Sequence, residues 1–185
     1  MRKLIAFEFI SLDGFMAGPP DHEMDFVLTG FDRDMEQDLA EQYKDLDAFV
    51  MGRTTFQSLE TYWPTSKAEA EPLQGVMNTM EKLVCSTTIT EARWNNSRIL
   101  QADAATEIER LKHNPGKDIM IIGSAKVVQS LIRLGLIDEF RFFLFPVVLG
   151  SGKSLFDAQS SPVQMKLLQT KYFTTGVVRL DYARA

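Results

Sequence analysis

The sequence predicts an α/β fold built on a largely parallel sheet, and three observations carry that reading. Apolar runs with β-branched residues alternate with amphipathic stretches through the first two-thirds of the chain. Two runs, Ala48-Phe49-Val50-Met51-Gly52 and Ile119-Met120-Ile121-Ile122-Gly123, pass straight into helix starts, as βα units do. After Gly135 the helical period vanishes, and strand-like segments fill the rest.

Taken in order, Lys3 to Ile10 reads as a buried strand and Ser11 to Met24 as a long Gly/Pro loop. Met35, Leu39 and Tyr43 recur every four residues, which predicts a helix over Arg33 to Asp45 capped by Asp32. A strand over Ala48 to Gly52 follows, then a short helix from Thr54 to Glu60 with Thr54 as its cap. Tyr62 to Gly75, with two prolines, reads as a surface excursion, and Lys82 to Ser86 as the next strand. Asp103 caps a helix reaching about His113, with Ile108 and Leu111 inward, until Asn114-Pro115-Gly116 ends it. Asp118 to Ile122 is a strand, and Ala125 to Leu134 a helix whose stripe is Val127, Val128, Leu131 and Ile132. Asp138 to Leu149, Val163 to Phe173 and Val177 to Tyr182 complete the sheet, at least two of them as antiparallel neighbours.

With 185 residues, 45% hydrophobic and 24% charged, the chain has material for one sizeable core, and one domain over residues 1–185 is expected. No apolar run approaches the roughly 18 residues of a membrane span. The start, Met1-Arg2-Lys3 and a short strand ending at Asp13-Gly14, lacks a signal-peptide pattern, so a soluble cytoplasmic protein is expected. Cys85 is alone and reads as a small buried hydrophobe; with only His22 and His113 beside it, neither a disulfide framework nor a metal site is expected. The net charge of −5 and the scattered cations disfavour a nucleic-acid partner.

The chemistry gathers where strands end. Gly52 lets backbone approach a phosphate closely, Arg53 offers charge-assisted bonds to its oxygens, and Thr54 adds a hydroxyl. Gly123-Ser124-Ala125-Lys126 forms a second such corner, with small residues and a nearby cation. If the sheet sets the two corners side by side, two helix N-termini point at one anion, and a dinucleotide pyrophosphate such as that of NADPH fits the demand. Ser86 and Thr87, at a third strand end, then suit the 2′-phosphate.

Asp13, after the first strand, is the leading candidate to supply a proton, and the Gly14-Phe15-Met16-Ala17-Gly18 loop is placed to close over a ligand. Phe15, Tyr62 and Trp63 are candidate walls for a flat heterocycle. Gly150-Ser151-Gly152-Lys153-Ser154 copies the end of a P-loop, which raises a nucleotide phosphotransferase as an alternative. The first P-loop glycine would fall at Val147, however, and no amphipathic helix is visible after Ser154. The better reading makes Gly150 and Gly152 a turn bordering the substrate pocket. A non-catalytic nucleotide-binding module is a further alternative.

The ordered series Ser11-Leu12-Asp13-Gly14, Val50-Met51-Gly52-Arg53-Thr54-Thr55-Phe56, Lys82-Leu83-Val84-Cys85-Ser86 and Ile121-Ile122-Gly123-Ser124-Ala125 resembles the landmarks of the dihydrofolate reductase superfamily. The tail, Leu136-Ile137-Asp138-Glu139-Phe140 through Phe145-Pro146-Val147-Val148-Leu149-Gly150-Ser151-Gly152, is similar to the reductase domain of the bifunctional riboflavin-pathway deaminase-reductase. The resemblance implies a dihydrofolate reductase-like three-layer fold with a mixed, mostly parallel eight-stranded sheet and antiparallel C-terminal strands. It implies an NADPH-dependent reductase acting on a pteridine- or pyrimidine-type heterocycle or its ribosylamino derivative, and a homodimer built through those C-terminal strands. On that likeness Gly52, Arg53 and Thr54 bind phosphates, Ser86 and Thr87 the 2′-phosphate end, and Ile122, Gly123, Ser124 and Ala125 the pyrophosphate and nicotinamide side. Glu36 stands about as far before Gly52 as the pterin-binding carboxylate stands before the matching glycine in dihydrofolate reductases. The chain departs from the pattern with Gly123-Ser124 for the usual Gly-Gly, with Phe7 where the riboflavin-pathway enzymes carry lysine, and with no deaminase motif.

Overall fold

The computed structural model describes residues 1–100, 103–156 and 162–185. Its strands are β1 (Leu4–Ser11), β2 (Phe15–Ala17), β3 (Leu46–Gly52), β4 (Glu81–Cys85), β5 (Ser97–Leu100), β6 (Asp118–Ile121), β7 (Glu139–Phe145), β8 (Lys153–Ser154), β9 (Met165–Tyr172) and β10 (Val178–Arg184). Its helices are α1 (Asp25–Gly30), α2 (Arg33–Tyr43), α3 (Arg53–Glu60), α4 (Gln74–Thr79), α5 (Ala104–His113) and α6 (Ala125–Arg133).

Eight strands form one sheet in the order β5-β4-β3-β6-β1-β7-β10-β9. The neighbours from β5 to β7 are parallel, whereas β10 runs antiparallel to both β7 and β9. Helices cover both faces, which gives the three-layer, mostly parallel architecture with an antiparallel C-terminal edge. On one face Met35, Leu39 and Tyr43 of α2, Phe56 of α3 and Met77 of α4 join an apolar cluster with Ile5, Phe7 and Phe49. On the other, Ile108 and Leu111 of α5 and Val128, Leu131 and Ile132 of α6 meet Leu4, Ala6, Val50 and Ile121.

Local chemistry sets the helix ends. The Asp32 carboxylate accepts the Met35 N–H at 2.9 Å to start α2, and Asp103 accepts from Thr106 N–H at 3.3 Å to start α5. Helix α3 starts differently from the expectation: Gly52, in extended backbone, is its N-cap, and Thr54 lies inside the first turn. Helix α2 is anchored from beneath by buried Asp38, which accepts from Arg179 at 2.6 Å, Lys171 at 2.7 Å and Gln42 at 2.8 Å. The burial of Asp38 would raise its pKa, but Lys171 and Arg179 together hold it below the ordinary carboxylate value.

Four features of the fold went unanticipated. Helices α1 and α4 have six residues each and no side-chain cap bond, and β5 is a four-residue strand with only Leu100 buried, so none carries a readable period. The fourth is a small ribbon in which β2 and β8 pair antiparallel, Phe15 opposite Ser154 and Ala17 opposite Lys153.

Candidate functional site

Open α/β sheets bind ligands at the carboxyl ends of their parallel strands. Here β4, β3 and β6 are adjacent, so the turns after Cys85, Gly52 and Ile121 stand in a row. The middle and last of these touch: Gly52 N–H donates to the Gly123 carbonyl at 3.2 Å. A Cβ on Gly52 would collide with Ser124 Oγ, so glycine is what allows this approach. Gly123 sits at φ +73°, and the Gly123–Ser124 peptide is cis. The serine that replaces a second glycine is accommodated with its hydroxyl lying over Gly52.

Ser124 caps α6 in extended backbone, as Gly52 caps α3, and neither helix start has a side-chain cap bond. The first-turn N–H groups of both helices therefore face one corner without side-chain acceptors, and both macrodipoles put partial positive charge there. Arg53 and Lys126 add two exposed cations that form no ion pair among the described residues. In the adjoining turn Ser86 Oγ accepts from the N–H groups of Thr88 (3.2 Å) and Ile89 (3.3 Å), which leaves Thr87 exposed beside the β3 corner. Cys85, whose thiol burial pushes up to about 11, is an inert part of the packing.

Asp13 occupies a different position from that of a free acid. It accepts from Ser11 Oγ at 2.6 Å, from Leu149 N–H at 3.1 Å and from Gly150 N–H at 2.7 Å. The Ser11 hydroxyl has the largest effect, and with the Gly150 and Leu149 amides it outweighs the opposing effect of burial and lowers the pKa to about 2. The group is ionised at neutral pH. It ties the turn after β1 to the loop after β7, with Gly150 at φ +73°.

The neighbouring loop has structure of its own: Phe15 to Ala17 pairs with β8 as a short ribbon. Gly152 packs so closely on the Ala17 carbonyl that a Cβ there would collide with it. Lys153 pairs with Glu23, and its segment continues as a strand, so the Gly150 to Ser154 stretch is not a phosphate loop.

Glu36 lies half-buried in the first turn of α2; burial first, and Glu71 second, raise its pKa. Tyr62 donates its hydroxyl to Glu71 at 2.8 Å, and Trp63 meets Tyr62 edge to face at 5.4 Å. Phe9 and Phe31, half-buried and 5.8 Å apart, top an aromatic cluster that includes Phe7, Phe143, Phe145 and Phe26. Together with Trp63, Ile122, Val147 and Leu149 they give the α2 face of the sheet its partly open apolar lining.

The residue that the sequence reading missed is Glu8. It stands on β1, 5% exposed, with Oε1 accepting the Gly123 N–H at 3.1 Å. Burial pushes its carboxyl up to about 8 against the opposing effect of that bond. The available signal was a lone carboxylate inside the apolar run Leu4-Ile5-Ala6-Phe7-Glu8-Phe9-Ile10.

The sheet order and the double helix-start corner define a dihydrofolate reductase-like α/β protein. More particularly, the chain belongs to the RibD C-terminal domain family, which matches residues 2–179. Membership supports an oxidoreductase role. The Bacillus subtilis (strain 168) protein YyaP is 33% identical over 184 residues, covering 98% of this chain and 94% of that one. A candidate riboflavin biosynthesis protein from Shewanella sp. PV-4 superposes with a TM-score of 0.79 at 22% identity, over 99% of both chains. A dihydrofolate reductase from Enterococcus faecalis complexed with NADP(H) shares the fold with a TM-score of 0.64 at 14% identity, over 98% of this chain and 96% of that one.

Proposed function

We propose that the protein is an NADPH-dependent reductase of a small pteridine- or pyrimidine-type heterocycle, working as a homodimer. The observation that carries this reading is the Gly52 N–H to Gly123 carbonyl bond, which brings two helix starts without side-chain cap bonds to one point. That corner suits a pyrophosphate: close backbone approach at Gly52 and Gly123, first-turn amides of α3 and α6, and the cation Lys126. Ser86, Thr87 and Arg53 lie where a 2′-phosphate would extend along the strand ends, and Thr54 adds a hydroxyl. Membership of the RibD C-terminal domain family and the NADP(H)-bound fold neighbour support the choice of cofactor.

NADPH bound there supplies a hydride for an electrophilic C=N or C=O carbon. The chain's own contribution is to orient and enclose. Phe9, Phe31, Trp63 and Ile122 offer apolar walls for a flat ring, and Phe15, held by the β2–β8 ribbon beside Gly150 and Gly152, closes the other side. Glu36 is the carboxyl group assigned to hold an amino-substituted ring or to pass it a proton; burial first, and Glu71 second, raise its pKa. Asp13, being ionised, holds the loop at Leu149 and Gly150 in place instead of giving up a proton.

The test is nucleotide titration of the wild type and Arg53→Ala, followed by a substrate screen that monitors loss of reduced cofactor. Arg53→Ala is expected to weaken NADPH at least about tenfold, in line with loss of a charge-assisted phosphate bond, and NADH much less. Equal effects on both nucleotides would remove Arg53 from the 2′-phosphate. Tight NADPH binding with no turnover on pterins, aminopyrimidines or imines would make the protein a binding module.

A further inference from the structure

Gly123 is tied at both ends. Its N–H donates to Glu8 Oε1 at 3.1 Å, and its carbonyl accepts the Gly52 N–H at 3.2 Å. The central strand β1 thus sets Gly123, and Gly123 sets the start of α3. We propose that Glu8 is a positioning residue for the dinucleotide cradle and that its protonation is linked to capture of the cofactor's phosphates. The inference rests on the reading that the Gly52–Gly123 corner holds a pyrophosphate.

Two physical points carry it. A buried backbone N–H without an acceptor is costly, so an acceptor at position 8 is what fixes the Gly123 amide. The acceptor is also a carboxyl group in an uncharged setting. Its register neighbour on β7 is Phe142, the β6–α6 turn presents Gly123 and Ser124, and beside Gly123 stand Met16 of β2 and Thr55 of α3. No titratable side chain is among them. Arg53 and Lys126 are exposed at the helix starts, and Glu8 makes no ion pair among the described residues.

With its carboxyl raised to about 8 by burial, Glu8 is mostly neutral at pH 7 and ionised above pH 9. Ionisation puts a negative charge directly behind the amides that face the phosphates. Anion binding and Glu8 ionisation oppose each other, so capture of the dinucleotide favours the protonated acid and takes up a proton. By reciprocity, affinity falls as pH rises through about 8.

The experiment measures NADPH dissociation constants from pH 7 to 9.5 for the wild type, Glu8→Gln and Glu8→Ala. The wild type is expected to weaken on the order of tenfold over that range. Glu8→Gln, which keeps the acceptor and cannot ionise, should bind as the wild type does at pH 7 and lose the slope. Glu8→Ala should bind more weakly at every pH. Lys82, a buried amine lowered to about 8, also titrates in this window, and the Gln variant separates the two. A wild type without slope, or a Gln variant that retains it, overturns the proposal. Should Glu8→Gln not fold, calorimetry of wild-type binding at pH 8 in buffers of different ionisation enthalpy reads the proton directly. Net uptake supports the linkage and its absence overturns it. A wild type that binds no dinucleotide at any pH overturns instead the cofactor reading beneath it.

Discussion

At Asp13 a carboxylate after a central strand, poised by sequence to donate a proton, gives its lone pairs to Ser11, Leu149 and Gly150. Because its pKa is depressed, the stability it contributes is present above the ordinary carboxylate range and is lost as pH falls toward about 2. Asp13→Asn cannot accept both amide bonds. It is expected to lower the thermal midpoint and to reduce turnover by up to about 100-fold through misplacement of the loop after β7, with NADPH affinity nearly unchanged. Stopped-flow turnover beside a melting curve checks this; lost turnover with an unchanged midpoint would restore Asp13 as a direct participant. Glu8 is the opposite case, a carboxyl group with one amide bond, raised by burial. Neither environment is written in the residue itself. Ser11 is close to Asp13 in sequence, but the Leu149 and Gly150 amides and the burial of Glu8 against Gly123 come from contacts more than a hundred positions apart, which a single sequence does not display.

At the scale of elements, what was legible followed the strength of the local signal. Helices α2, α5 and α6 carry caps or continuous apolar stripes and fall within two residues of expectation. Helices α1 and α4 and the β2–β8 ribbon have neither, since their shape comes from the neighbours they touch. The antiparallel edge has its own consequence. Across β7, β10 and β9 the rows Leu144-Val178-Tyr172 and Phe140-Tyr182-Leu167 share a face, on which Leu167 is 52% and Tyr172 77% exposed. Such an apolar surface on an edge is the kind that a second copy covers. Sedimentation equilibrium is expected to give twice the 21.0 kDa chain mass at micromolar concentration, and Leu167→Asp to shift it toward one. A wild type that sediments as a single chain would contradict the dimer.

For the molecule as a whole, the sheet order does what βα spacing alone left open. Placing β6 between β1 and β3 makes the two glycine corners neighbours, and β4 adds the Ser86 turn to the row. The sequence supplied the corners, Gly52-Arg53-Thr54 and Gly123-Ser124-Ala125, and the resemblance supplied their order. Their contact, and Glu8 behind it, required the fold. The measurement that tests the pairing most directly is a crystal structure grown with NADPH. The result expected is a diphosphate within hydrogen-bond distance of first-turn amides of both α3 and α6. A dinucleotide seated elsewhere, or touching only one of those helix starts, would contradict it.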